Sequence, residues 1–276
     1  MKRNKRKQVI PGFGISMGVT ITLLSLIVLI PMASLVVNAS TMGAQTFFDT
    51  VTDKRVVAGY LVSFSCALIA ALVNAVFGVI LAWVLVRYEF PMKRFVDGLI
   101  EIPFAIPTAV AGIALTTLYS DKGIFGKLLG ELGIKVSYTR LGIIVAMIFI
   151  GIPFIVRTIQ PVLEDLDPQY EEAGNVLGAS KIHIFFKIVF PEIRPALLTG
   201  FGLAFARAVG EYGSVVFIAG NIPFKTEIAP LLIMGKLEQF NYNGANAIAL
   251  VMLAVSFIIL FAINSVQVYA NRFTKE

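Results

Sequence analysis

The sequence contains very little of the side-chain chemistry that enzymes and metal proteins use. Among its 276 residues there is one cysteine, Cys66, and one histidine, His183. One cysteine excludes an intrachain disulfide and a cysteine-based metal site, and one histidine excludes a histidine-rich metal site. The pattern G-x-x-x-x-G-K-[ST] does not occur either, so we expect no ATP-binding loop of that kind. We therefore expect no catalytic residue, metal or cofactor in this chain.

Charged residues are also scarce. They make up 14% of the chain and hydrophobic residues make up 57%, whereas soluble domains carry about 25% charged residues. This balance is typical of an all-α membrane protein that crosses the bilayer several times. The net charge of +6 does not indicate nucleic acid, because five positive charges lie in residues 1–12, directly before the first apolar run. Such a cluster contacts anionic lipid and fixes orientation. Its members are Lys2, Arg3, Lys5, Arg6 and Lys7.

Six segments with few charges are long enough to cross a bilayer, which takes about 20 apolar residues. The predicted spans are 13–37, 58–86, 99–120, 141–162, 195–219 and 246–270. The third contains Pro103 and Pro107, which we expect to disrupt the helix, either as a packing kink or near the pore. Arg157 falls near the end of the fourth, where we expect its side chain to reach the headgroups.

The distribution of lysine and arginine predicts the orientation. Six spans place both termini on one side, and the segments on that side hold more of these residues than the opposite loops. Positive charge favours the cytoplasmic face. We therefore expect both termini and the polar segment 163–194 to lie in the cytoplasm. We name segment 163–194 the insert, and we expect residues 1–276 to form one transmembrane domain.

The first half of the insert has the features of a short helix. Asp167 followed by Pro168 favours a helix start, because the carboxylate accepts from free backbone N–H groups and proline at the first position loses no hydrogen bond. Glu171 and Glu172 then lie near the positive end of the helix dipole. Gly178 is expected to end the helix, because glycine tolerates a left-handed backbone.

The second half predicts another short helix after a sharp bend. Ser180 can cap this helix, and Pro191 and Pro195 are expected to end it before the fifth span. Small residues at the bend allow close docking into a groove of a partner protein. The alternative is an amphipathic helix that lies on the membrane surface, and the spacing of the residues leaves both interpretations open.

The order of residues in the insert resembles a family motif. Glu172-Ala173-Gly174, then Gly178, then Ile188-Val-Phe-Pro191 is similar to the EAA motif of ABC importer permeases, with glycine in place of alanine at 174 and Phe190 in place of the usual leucine. In that family the motif sits in a cleft of the ATPase subunit. The resemblance implies a coupling role for Glu171, Glu172, Ala173, Gly174, Gly178, Ala179 and Pro191.

Further stretches resemble the sulfate/thiosulfate permeases of the T type over roughly residues 10–270. They begin at Arg87-Tyr-Glu-Phe-Pro, Ile102-Pro-Phe-Ala-Ile-Pro, Pro153-Phe-Ile-Val-Arg and Gly210-Glu-Tyr-Gly-Ser. Molybdate permeases share parts of this pattern, so a molybdate or tungstate importer is the alternative. The resemblance implies the type I importer fold in a bacterial cytoplasmic membrane. It also implies a homologous second permease of the W type, two ATPase subunits that bind ATP and Mg²⁺, and an external sulfate-binding protein.

Four residues are candidates for the substrate path: Arg207, Glu211, Asn74 and Thr108. Arg207 and Glu211 are four apart inside the fifth span, so we expect them on one helix face. A charge at the centre of a bilayer costs at least about 2.5–3.5 kcal/mol, so both side chains must face protein or water. The pair is either a structural ion pair or a site where Arg207 lowers the barrier for an oxyanion. Asn74 is either a gate group or a hydrogen-bonding link between helices.

Two other classes of function explain these residues less well. A secondary transporter or channel that works without partners would use Arg207 and Glu211 as an ion site, but it leaves the insert unexplained. An intramembrane enzyme would need a nucleophile with a base, or a metal-binding cluster, and neither is present in the sequence. The segment 220–225 after the fifth span is expected to be an outer turn, either a plain loop or a contact for the binding protein.

Overall fold

The computed structural model describes residues 12–272, with side chains up to residue 268. The basic cluster before the first span therefore lies outside the described residues. Helices dominate the described chain. In order they are α1 (Phe13–Ser40), α2 (Ala44–Val51), α3 (Lys54–Arg87), α4 (Lys93–Ala105), α5 (Thr108–Tyr119), α6 (Ile124–Glu131), α7 (Arg140–Asp165), α8 (Gln169–Val176), α9 (Lys181–Val209), α10 (Val215–Ile218), α11 (Ala229–Glu238) and α12 (Tyr242–Arg272).

Helices α3, α7 and α9 form the core of the bundle. Small side chains line their contacts, because in a membrane helices associate through close packing rather than through exclusion of water. Ala67, Ala70 and Ala71 of α3 are fully buried in one cluster with Ala146 of α7 and Ala208 of α9. The three helices therefore approach closely enough to act as one packed unit.

Five described helices, α1, α3, α7, α9 and α12, are long and apolar enough to cross a membrane. Helices α4 and α5 together pass the same test, but the chain bends by 116° between them. The prediction of six spans is consistent with this arrangement if the bent pair counts as one, and the predicted disruption of the third span is confirmed at Pro107 but not at Pro103. Pro107 precedes α5 and marks the break, whereas Pro103 lies inside α4 without ending it.

The prediction that Pro191 and Pro195 end a short second insert helix is also wrong. Helix α9 continues from the insert through both prolines into the bundle. The residues before Pro191 form a wider, π-helical turn over Phe185–Val189, in which the N–H of Phe190 donates to the carbonyl of Phe185. A proline ring clashes with the carbonyl four residues earlier in a regular helix, and the wider turn relieves that crowding. The same arrangement occurs in α1, where Ser25–Leu29 precedes Pro31.

Candidate functional site

The insert forms a helical hairpin whose local geometry agrees with the sequence. A carboxylate oxygen of Asp167 accepts from the N–H of Gln169 at 2.9 Å, at the start of α8. Gly178 has φ +78°, the left-handed conformation expected at the bend. The Ser180 hydroxyl accepts from the N–H of His183 at 3.3 Å, at the start of α9. These contacts confirm the predicted helix starts and the predicted bend.

The two arms of the hairpin touch at Gly174. This residue is buried in α8, and a β-carbon there would lie 3.0 Å from the side chain of Ile184 and 3.4 Å from that of Ile188 in α9. Its small size therefore permits the close approach of the arms. Glu172 and Ala173 are exposed on the other side of α8, so they are accessible to a partner.

The tip of the hairpin exposes large apolar side chains. Val176 is 87% exposed and Leu177 is 86% exposed, and Ile182 and Phe186 are exposed on the adjoining arm. We name these four residues the apolar tip. An exposed apolar cluster of this kind marks a surface that another protein or a membrane covers.

At its base the hairpin is attached to the end of α3. The Arg87 guanidinium donates from Nε to a carboxylate oxygen of Glu171 at 2.8 Å and from Nη2 to the carbonyl of Leu166 at 2.9 Å. Both side chains of the ion pair are largely shielded from solvent. One turn earlier, the ring of Trp83 packs against that of Phe185, with centroids 5.2 Å apart. Sequence reasoning did not assign Arg87 a role, although it begins one of the family-like stretches.

Among the substrate-path candidates, Arg207 and Glu211 form the ion pair that their spacing suggests, but not on one helix face. Helix α9 ends at Val209, so Glu211 lies in the loop beyond the helix and not inside the fifth span as predicted. Glu211 is 2% exposed, and Arg207 donates from Nη1 to its second carboxylate oxygen. The first oxygen accepts from the backbone N–H of Ser214 at 2.8 Å and from its hydroxyl at 2.9 Å. The carboxylate of Glu211 therefore holds both the loop, through Ser214, and the side chain of Arg207.

Thr108 lies beside this loop, at the start of α5. A β-carbon at Gly213 would lie 2.2 Å from the Thr108 hydroxyl oxygen, and one at Gly112 would lie 2.4 Å from the Ser214 carbonyl oxygen. The structure thus brings Thr108 into the same loop region as Glu211. This proximity comes from the bend before α5.

Asn74 occupies a different place, within the core. It is fully buried in α3, and neither of its amide atoms has a hydrogen-bond partner among the described residues. A β-carbon at Gly151 would lie 2.3 Å from its Nδ2 and 3.6 Å from the β-carbon of Ala204. Asn74 therefore lies where α3, α7 and α9 meet, and in this conformation it makes no interhelical hydrogen bond.

Two further arginines join elements through ion pairs that no sequence pattern predicts. Arg157 of α7 bonds to Asp97 at 2.7 Å and to Glu101 at 2.8 Å, both on α4. These two carboxylates are partners for the charge of Arg157 within the protein, and the expectation that its side chain reaches the headgroups stays a prediction. Arg55, at the start of α3, makes a two-point contact with Glu227, at 2.7 Å for each nitrogen–oxygen pair. Each of these pairs joins residues that are distant in the chain.

Replacing Gly112 with alanine is expected to lower the thermal midpoint of the purified protein. A β-carbon there would overlap the backbone of Ser214, and overpacking costs about 1–3 kcal/mol. Gly98 in α4 is the matched control, because a β-carbon there meets no atom within 4 Å in the described part of the chain beyond its own neighbours in the helix. Gly98→Ala should be neutral or stabilising by up to about 1 kcal/mol. Equal midpoints for the two variants would contradict the close contact of α5 with the loop.

The sequence is similar to a known family and to individual curated proteins. Residues 74–276 match the family model described as binding-protein-dependent transport system inner membrane component. The sulfate transport system permease protein CysT of Salmonella typhimurium is 49% identical over 261 residues, covering 95% of this chain and 94% of the relative. The CysT protein of Escherichia coli is 48% identical over the same shares. That of Synechocystis is 48% identical and covers 94% and 90%.

Solved structures share the fold at low sequence identity. A chain of a bacterial ABC transporter involved in the import of the acidic polysaccharide alginate aligns with a TM-score of 0.74 at 15% identity, over 90% of this chain and 92% of that one. A chain of the MetNI methionine ABC transporter, in an inward-facing conformation, aligns with a TM-score of 0.59 at 18% identity, over 78% and 95%. The chain therefore belongs to the inner membrane components of binding-protein-dependent ABC importers, in the branch of its CysT relatives, and has the type I permease fold.

Proposed function

We propose that this chain is the permease subunit of an ATP-driven importer of sulfate and thiosulfate. The observation that carries the proposal is its 49% identity to a sulfate permease over almost the whole length of both chains. Substrate identity is a property of close relatives rather than of the fold, and the matched structures import quite different molecules. The chain forms half of the translocation path, and a homologous permease of the W type forms the other half.

The hairpin formed by the insert is the coupling element. Its apolar tip is exposed in this chain, and a cleft in an ATPase subunit is a partner surface that would cover it. Glu172 and Ala173 are exposed as well and would contact the same subunit. Gly178 and Ala179 have small side chains, which keep the bend narrow. ATP and Mg²⁺ bind to the two ATPase subunits and not to this chain. Hydrolysis there moves the hairpin and switches the permease pair between inward-open and outward-open states.

In this arrangement the chain resides in a bacterial cytoplasmic membrane with both termini and the hairpin in the cytoplasm. An external sulfate-binding protein delivers the anion to the opposite face. Thr108, Asn74 and the pair of Arg207 with Glu211 belong to the moving region between the faces. Arg207 lowers the barrier for a divalent oxyanion, and its pairing with Glu211 keeps the anion from binding tightly, so that release follows.

Reconstitution tests the proposal directly. The chain is purified with its W-type partner, ATPase and binding protein, placed in liposomes with internal ATP, and supplied with radiolabelled sulfate. Uptake should require every component and should be reduced by unlabelled thiosulfate. Uptake of molybdate or tungstate in place of sulfate would support the alternative importer instead. Sulfate uptake by this chain without any partner would reject the coupled mechanism and favour a secondary transporter.

A further inference from the structure

One side of the last turns of α3 holds both arms of the hairpin. Trp83 and Arg87 are four residues apart, so they lie on the same helix face. Trp83 contacts Phe185 on the α9 arm, while Arg87 contacts Glu171 on the α8 arm. Because the two arms also touch each other at Gly174, the hairpin and the end of α3 form a closed set of contacts.

The guanidinium of Arg87 suits this place for three reasons. It is the last residue of α3, where a positive charge interacts favourably with the negative end of the helix dipole. It satisfies the carbonyl of Leu166, which follows the last residue of α7 and has no partner within that helix. Its planar fork reaches that carbonyl and the Glu171 carboxylate at the same time, which the single ammonium of lysine would not do equally well.

The opposite end of α3 carries a similar contact. Arg55, the second residue of the helix, makes its two-point pair with Glu227 in the loop before α11. Helix α3 has 34 residues and is therefore about 51 Å long at about 1.5 Å per residue. It is a rod fixed by guanidinium–carboxylate pairs to the hairpin at one end and to the opposite loop region at the other.

We infer that Arg87 is a positioning residue that fixes the hairpin to α3, so that displacement of the hairpin moves α3 and with it the loop held by Arg55. The inference rests on the proposed function, because it takes the hairpin to be the element that the ATPase moves. It adds the element that receives this motion and the side chain that transmits it. Arg87 contacts no substrate in this account, and its effect is exerted through Glu171.

A distance measurement tests the positioning role without any substrate. Spin labels on cysteines introduced at Ile80 of α3 and Tyr170 of the hairpin, both exposed, report the separation of the two elements in the full-length chain in its complex. Cys66 is 1% exposed and is kept. The unmodified pair should give a narrow distribution. Glu171→Gln and Arg87→Gln should broaden or shift it, and an unchanged distribution in both would overturn the inference.

The control variant is Glu89→Gln. Glu89 also pairs with a basic residue close to the end of α3, Lys93, but it is exposed and the pair links neighbouring residues. This variant should leave the distance distribution unchanged. A broadening as large as that of Glu171→Gln would show that loss of any nearby charge loosens the hairpin, and it would overturn the specific role of Arg87.

Transport and hydrolysis measured together give the second readout. Sulfate taken up per ATP hydrolysed should fall about tenfold in Glu171→Gln, which corresponds to about 1.4 kcal/mol, because movement of the hairpin no longer moves α3, while the ATPase still co-purifies. The double variant Arg87→Gln/Glu171→Gln should be no worse than Arg87→Gln. Additive losses would overturn the inference. If the unmodified complex takes up no sulfate but the distance still responds, the proposed function fails and the positioning role stands.

Discussion

Replacing Gly178 with leucine is expected to abolish sulfate uptake while the permease still folds. At φ +78° a leucine is strained, at a cost of about 1–2 kcal/mol. Apart from the two residues next to it in the chain, no described residue has an atom within 4 Å of a β-carbon at Gly178. The added side chain therefore meets nothing inside the permease, and the large loss is expected from its clash with the docked ATPase subunit.

Three variants separate backbone strain from docking. Gly178→Ala adds the strain with little bulk, Gly178→Asn adds bulk but tolerates the left-handed backbone, and Gly178→Leu adds both. Co-purification of the ATPase should fall more with asparagine than with alanine and be lost with leucine, whereas a larger fall with alanine than with asparagine would show that strain is the cause. Gly130→Leu is the control, because a β-carbon at Gly130 also meets no other described residue within 4 Å beyond its own helix, but Gly130 lies in α6 and not in the hairpin. Normal ATPase binding by Gly178→Leu would contradict the coupling role of the bend.

Removing the Glu211 side chain is expected to cost more stability than removing that of Arg207. Glu211 is buried and accepts three hydrogen bonds, two of them from Ser214, which is itself fully buried. Glu211→Ala would leave the Ser214 N–H and the arginine without their acceptor, and breaking a buried pair in this way costs about 3–5 kcal/mol. The complex should be recovered in low yield, with a reduced thermal midpoint.

Arg207→Ala should behave differently if the arginine serves the anion. The side chain of Arg207 is 35% exposed, and the Glu211 carboxylate would keep both bonds from Ser214. The complex should therefore assemble, while the initial rate of sulfate uptake falls by about tenfold or more, which corresponds to about 1.4 kcal/mol. Arg207→Lys retains the charge and should keep part of the rate. Failure of the complex to assemble in Arg207→Ala would favour a purely structural pair.

The features that the sequence predicted correctly are those that depend on neighbouring residues. The apolar runs predict the long helices because crossing a bilayer requires a minimum length. The starts of α8 and α9 and the bend at Gly178 follow from side chains that bond to the backbone two or three residues away. The coupling role of residues in this segment came from the resemblance to a family motif, and it stays a prediction.

The failures have an equally local cause. Proline was expected to end the helix because its ring clashes with the preceding turn. The wider turn before Pro191 relieves that clash, and no residue type predicts such a turn. Similarly, Glu211 was placed inside a helix because the apolar character of the segment continues past Val209. The end of α9 is set instead by the turn in which Glu211 bonds to Ser214 and to Arg207.

The amino-acid order was sufficient for the long apolar helices, the bend of the hairpin and the resemblance to importer permeases. It was not sufficient for the pairs that hold these parts together. Arg87 and Glu171 are 84 residues apart, Arg157 and Asp97 are 60 apart, and Arg55 and Glu227 are 172 apart. Their contact exists only because small residues let α3, α7 and α9 pack closely and because the chain bends by 116° before α5. The packing of the helices brings each charged side chain to its partner, and no local sequence pattern predicts that packing.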